Sequence, residues 1–170
     1  MKKLFLFISC FAILAFVVPA NAQTNLKLGY IDSNELLELM PGKDSVEKKL
    51  MEYQGALEAQ IQNMYAEYQT KANDYRANSA TMSDIIKQTK EKEILDLEER
   101  ISTFQQTAET DFQNKQQELY NPLIERARKA IQTVAEENGY TYIFDSGMGS
   151  LLYFDRGDNI LPLVKTKLGL

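Results

Sequence analysis

From Val46 onward the apolar positions recur with a spacing that only a helix produces. Val46, Leu50, Tyr53, Leu57, Ile61, Met64, Tyr68, Ala72 and Tyr75 follow one another at intervals of 4, 3, 4, 4, 3, 4, 4 and 3 residues. Leu97, Ile101, Phe104, Ala108, Phe112, Lys115, Leu119, Leu123, Arg126, Ala130 and Val134 repeat the cycle, with Lys115 and Arg126 as polar interruptions. An 11-residue cycle holds the stripe nearly straight along a helix, whereas a heptad would wind it left-handed. Between Gly42 and Pro122 there is no proline, and Gly55 is the only interior glycine. The rest is dominated by residues that lose little on entering a helix. The one interruption is the small polar cluster 77–83, in which Thr81 or Ser83 is placed to N-cap a second helix starting near Asp84. The pattern predicts two antiparallel helices of about 35 and 38 residues, each ~50–57 Å long. Pro122 is expected to kink or break the second, sending residues 123–138 in another direction.

The flanks read differently. Leu26 to Ile31 alternates like a strand, and Asp32-Ser33-Asn34-Glu35 has the spacing of a capping box. A brief helix from Leu36 to Met40 is stopped by Pro41-Gly42. After Asn138-Gly139, segments 140–144 and 151–154 read as two strands joined through 145–150. Asp158 or Asn159 then caps a last helix, with Ile160, Val164 and Leu168 on one face and Pro162 in its first turn. The fold class is α+β, mostly α. A helical-hairpin arm spans 42–121 with its tip near 77–83, and a small β-rich body is made from 23–41 and 122–170. So few short strands bury little surface, so the body is expected to associate with other copies.

The N-terminus changes the length that matters. Met1-Lys2-Lys3, an apolar run from Leu4 to Val18, and Pro19-Ala20-Asn21-Ala22 are the three parts of a cleaved signal peptide, covering 1–22 and ending before Gln23. At about 15 residues the run falls short of the ~20 that span a bilayer. Its removal takes away two lysines and no acid, so the net charge goes from −5 to −7. Cys10 leaves with it, and the mature chain has neither cysteine nor histidine. No disulfide, Ser-His or Cys-His pair, or common zinc site is then available. A sequence pI near 4.9 gives no basic footprint for nucleic acid.

Several residues invite a functional reading. Met82, Ile85 and Ile86 form an apolar trio at the tip that would touch a partner chain, although Ile86 closing the hairpin seam is the plainer reading. Tyr53, Tyr68 and Tyr75 fall on the seam, while Tyr65 lies off it and suits loose contact through an apolar ring with a polar tip. Lys87, Lys90, Lys92 and Arg100 alternate with Glu91, Glu93, Glu98 and Glu99, as a solvated helix face does. Arg126, Arg128 and Lys129 make a small basic cluster. Gly147-Met148-Gly149 reads as a hairpin turn, being too short for a phosphate loop, and Asp155, Asp158 and Asn159 lack the spacing of a calcium loop. No carboxylate pair is set apart for hydrolysis. No catalytic residue, metal site or cofactor is expected.

The two ends together resemble the Skp/OmpH family of periplasmic chaperones for outer-membrane proteins. The opening is Leu28-Gly29-Tyr30-Ile31-Asp32-Ser33, a short helix, and Pro41-Gly42-Lys43 before a long charged helix. The close is Asn121-Pro122-Leu123-Ile124, Ala130-Ile131 to Val134-Ala135, Asn138-Gly139-Tyr140, Phe144-Asp145 and Leu151-Leu152-Tyr153. The resemblance implies a homotrimer whose three arms enclose unfolded outer-membrane β-barrel clients without ATP until they reach the membrane assembly machinery. Well-known members are strongly basic, and at −7 this chain departs from them, so no lipopolysaccharide-binding residue is carried over. The competing expectation is an envelope spacer or adaptor that uses the hairpin as a docking rod.

Overall fold

The structure, a computed structural model, describes residues 26–149, 151–153 and 157–170. The signal-peptide reading of 1–22 lies outside the described residues.

The chain opens with β1 (Leu28–Ile31), then α1 (Ser33–Leu39), started by Asp32. Asp32 Oδ1 accepts from the backbone N–H of Asn34 at 2.9 Å and of Glu35 at 3.0 Å, occupying two donors that the first helical turn leaves unpaired. Gly42, at φ +99°, turns the chain into α2 (Lys43–Asn78), 36 residues and about 54 Å of helix. A single 3-10 turn (Ser79–Thr81) and extended Met82 reverse the direction. Ser83, not Thr81, caps α3 (Asp84–Asn138): its Oγ accepts from Ile86 N–H, while the Thr81 hydroxyl donates to the Asn78 carbonyl at 2.9 Å.

The hairpin seam follows the predicted stripe. All nine stripe positions on α2 are buried or half-buried, as are those on α3 except Arg126. Arg126 is exposed and donates to the Pro41 carbonyl at 3.2 Å, while its neighbour Ala127 turns inward. Lys115 stays half-buried and pairs with Glu118 at 2.9 Å.

Two expectations need correction. First, α3 is not broken at Pro122; it runs unbroken for 55 residues to Gly139. Proline removes one N–H, but Leu119 and Tyr120 before it and Leu123 and Ala127 after it pack into one cluster with Met40, Val46 and Leu50. Apolar contacts on both sides of the lost bond hold the helix in register. Second, 140–144 and 151–154 do not form a hairpin. β2 (Tyr142–Asp145) and β3 (Asp158–Asn159) each pair with β1, both in parallel, in the order β2-β1-β3. Leu28 lies opposite Tyr142, Ile31 opposite Asp145 and Gly29 opposite Asp158. Residues 151–153 are not in a strand, and Leu152 is 95% exposed; Phe154 lies outside the described residues.

The strand β1 is central because it fits there. A Cβ at Gly29 would stand 2.9 Å from Ile143 Cδ1 and 3.1 Å from both Ile160 and Tyr140, so glycine lets these side chains close over the strand without shifting. Ile31 then joins Leu36, Ala130, Val134, Ile160, Leu161 and Val164 in the main core. The last helix, α4 (Leu161–Leu168), carries Pro162 in its first turn as expected. Its N-cap is Ile160 rather than Asp158 or Asn159, because both of those residues are still in β3. Asn159 Oδ1 nonetheless accepts from Leu161 N–H at 2.9 Å, and Asp158 accepts from the Tyr140 hydroxyl at 2.9 Å.

Candidate functional site

The helical hairpin has three kinds of surface. Its middle is closed by a small cluster of Met64, Leu97 and Ile101, with Tyr68 and Phe104 packed against it. Beyond that cluster, toward the turn, no side chain from Tyr65 to Asp96 is fully buried. At the turn itself Met82 is half-buried, Ile85 is 78% exposed and Ile86 is 48% exposed. Ile86 therefore does not close the seam. The cap at Ser83 starts α3 at Asp84 and sets both isoleucines in the first helical turn, facing water. The trio is brought together, an apolar end on an otherwise polar arm.

Tyr65 is not part of that end. It lies 13 residues, about 20 Å of helix, before Asn78. Its ring is 39% exposed and its hydroxyl accepts from Gln105 Nε2 at 3.3 Å. With Tyr68, Glu98, Ile101, Ser102 and Gln105 it lines a cleft of about 250 Å³ between the helices.

A larger cleft of about 500 Å³ lies nearer the turn, lined by Ala72, Tyr75, Arg76, Ser79, Glu91, Ile94 and Leu95. Ala72 and Tyr75 lie on the apolar stripe, but Leu95 lies off it, so the stripe alone does not outline this cleft. The charges of this region are also more than a solvated face. Lys71 Nζ reaches Glu93 across the hairpin at 3.0 Å, Lys90 Nζ reaches Asp74 at 3.1 Å, and the Tyr75 hydroxyl donates to Glu91. Closer to the sheet, the Tyr53 hydroxyl donates to Asp111. The hydrogen bond and charge of Lys90 hold the Asp74 carboxyl below the usual carboxylate range, and Lys71 does the same for Glu93. The hydrogen bonds to Glu91 and Asp111 push the Tyr75 and Tyr53 phenols up. A sequence signal for these contacts exists. Lys71–Glu93, Asp74–Lys90 and Tyr53–Asp111 each have residue numbers that add to 164, as antiparallel partners about a turn centred on Met82 must.

At the opposite end, the sheet exposes Leu28, Tyr142 and Phe144 on alternate positions of paired strands. The Tyr142 and Phe144 rings lie 6.3 Å apart, and Met148 and Tyr153 add exposed apolar surface nearby in sequence. Among the described residues the outer edges of β2 and β3 have no neighbouring strand. Apolar rings beside open edges are a surface that favours covering. Behind it Asp145 is fixed at the end of β2. It accepts from Ser33 Oγ at 2.5 Å, Ser33 N–H at 3.2 Å and Gly147 N–H at 2.9 Å. Burial works against the charge, but these hydrogen bonds outweigh it and leave the carboxyl below its ordinary range. Gly147 belongs to a turn, though not to a hairpin, and a Cβ there would collide with Asp32 Oδ1. Of the basic cluster, Arg128 is paired with Glu125 at 2.9 Å and Arg126 with the Pro41 carbonyl.

Among the described residues no group of three or more His, Cys, Asp or Glu is placed to hold a metal ion. No described helix is long and apolar enough to cross a membrane. The chain is similar over 164 residues to the chaperone protein Skp of Photorhabdus laumondii, at 28% identity, covering 96% of this chain and 97% of that protein. It is 27% identical over 140 residues to the chaperone protein Skp of Pectobacterium atrosepticum, covering 81% and 84%. Its fold is similar to the crystal structure of a candidate outer membrane chaperone (OmpH-like) from Caulobacter crescentus. The TM-score is 0.70 at 11% identity, over 84% of this chain and 83% of that one. The family model described as outer membrane protein (OmpH-like) matches residues 27–168. With that match spanning the sheet, both long helices and the C-terminal helix, the chain belongs to the OmpH-like outer membrane protein family.

Proposed function

We propose that this protein is a periplasmic chaperone that holds unfolded outer-membrane β-barrel proteins and keeps them from aggregating, without ATP. The observation that carries the reading is the combination of family membership with a long two-helix arm whose apolar side chains remain open at the tip. An unfolded chain needs many weak contacts rather than one deep pocket. Several arms acting together supply affinity through effective concentration. The arm, residues 42–121, is the client-holding part; residues 23–41 and 122–170 form the body. Client contact falls on Tyr65, Met82, Ile85 and Ile86.

The body assembles as a homotrimer, with the exposed rings of Tyr142 and Phe144 and the open strand edges in the contact. Residues 1–22 direct export and are then removed, leaving a mature chain that begins at Gln23. Binding and release require no catalytic group.

The test is direct. A urea-unfolded outer-membrane barrel is diluted into buffer with the mature protein, and light scattering is followed. Scattering falls as the chaperone is raised to a small excess of trimer. Unchanged scattering at several-fold excess rejects the chaperone reading, and capture of a folded envelope protein in the same preparation favours the spacer alternative.

A further inference from the structure

The outer third of the hairpin is built differently from the rest. Between the Met64–Leu97–Ile101 cluster and the turn, residues 65–96 contain no fully buried side chain. The helices there are joined by half-buried Tyr68, Ala72, Tyr75 and Ile94 and by three polar contacts. Those contacts are the ion pairs Lys71–Glu93 and Lys90–Asp74, which depend on ionised carboxylates, and the hydrogen bond from the Tyr75 hydroxyl to Glu91. From these contacts we infer that residues 65–96 form an acid-released latch, opening as a unit while the inner hairpin and the sheet stay folded.

The charge inventory sets the sign. Residues 65–96 hold six carboxylates, Glu67, Asp74, Asp84, Glu91, Glu93 and Asp96, against five cations, Lys71, Arg76, Lys87, Lys90 and Lys92. The groups turned toward the latch from α2 are Glu67, Lys71, Asp74 and Arg76; those from α3 are Lys90, Glu91 and Glu93. Near neutrality the two helices carry nearly balanced charge. Full protonation leaves five uncompensated cations on two facing helices. Attraction across the seam becomes repulsion.

The low carboxyl values of Asp74 and Glu93 have the same sense. A group whose folded value is depressed contributes stability above its ordinary value, and that contribution is lost as pH falls through the folded one. The release therefore lies below about pH 4, the ordinary carboxylate range. Farther in, Met64, Leu97 and Ile101 bury apolar surface that protonation does not touch. Opening bares Tyr75 and Ile94, apolar surface of the kind a held chain would use, and only this last consequence rests on the chaperone reading.

The test needs no client, so its failure and that of the chaperone reading are separate. Amide hydrogen exchange is measured on the full mature protein at pH 7, comparing D74N/E91Q/E93Q with wild type. A control, D96N/E98Q/E99Q, removes three acids that have no cross-hairpin partner among the described residues. With exposed pairs each worth little, roughly tenfold faster exchange is expected over 65–96 in the first variant, with 97–134 unchanged. The control stays near wild type. Equal exchange in both variants overturns the latch, and so does equal loosening of 97–134. Should the triple variant not fold, the wild type is followed from pH 7 to pH 3 with exchange corrected for intrinsic rates. Loss of protection confined to 65–96 supports the latch; protection lost everywhere together, or nowhere, overturns it.

Discussion

Replacing Leu97 by alanine isolates the mid-arm cluster on which the hairpin depends. Leu97 is 2% exposed and packs with Met64 and Ile101, backed by Tyr68 and Phe104. The substitution removes about three methylene equivalents at ~0.8 kcal/mol each, and leucine-to-alanine changes in cores cost about 2–5 kcal/mol once the cavity is counted. Clefts flank this cluster, one lined by Met64 and Phe104 and another by Tyr68 and Ile101, so neighbours have room to relax. The cost is therefore placed at the low end, about 2–3 kcal/mol. Hydrogen exchange reads it regionally. Amides from about 60 to 105 should lose roughly 30- to 150-fold in protection, at 1.36 kcal/mol per tenfold change. Amides near Ile31, Val134 and Val164 belong to the main core and should change little. Leu95→Ala, on a side chain that is largely exposed, is the control and should cost under about 0.5 kcal/mol. If L97A and L95A lose protection equally, the cluster does not hold the arm.

Three further outcomes follow. Asp145→Ala strips Ser33 and Gly147 of their acceptor and should lower stability by about 1–3 kcal/mol by urea denaturation. Because the Asp145 carboxyl is held low, its contribution is complete above the ordinary aspartate value and fades as pH falls through the folded one, so the D145A penalty should shrink in acid. A penalty that grows in acid would contradict the assigned hydrogen bonds. Gly147→Ala should destabilise by about 1–3 kcal/mol because its Cβ would press on Asp32, whereas Gly55→Ala, with open space around it, should stabilise by about 0.5–1 kcal/mol; thermal melts compare the two. Ile85→Ser with Ile86→Ser should leave the melting temperature within a few degrees and weaken suppression of client aggregation, and undiminished suppression would remove the tip from the contact surface.

The arm was legible in the sequence because its information is local. A 4-3-4 spacing, a capping serine and one small polar cluster fix two helices and the turn between them. The sheet was not. β1 and β2 are separated by both long helices, so their parallel pairing leaves no short-range mark. The two apolar segments after Gly139 invited a hairpin that Leu152, turned to solvent, does not join. The break expected at Pro122 is absent for a related reason: the proline's local cost is plain, while the packing of Tyr120, Leu123 and Ala127 around Met40 and Leu50 is tertiary. Of the candidate residues, the position of Met82, Ile85 and Ile86 at the turn was readable from the sequence. The Lys71–Glu93 and Asp74–Lys90 contacts were hidden in a charge-rich face and become readable once the turn is centred on Met82.

The mass of the complex formed between the mature protein and one urea-unfolded outer-membrane barrel, taken by native mass spectrometry after dilution from urea, bears on client holding and assembly at once. Three copies of this chain with one client, alongside a free protein that is itself three copies, is the predicted result. Free protein beside aggregated client, with no complex at any ratio, would contradict it.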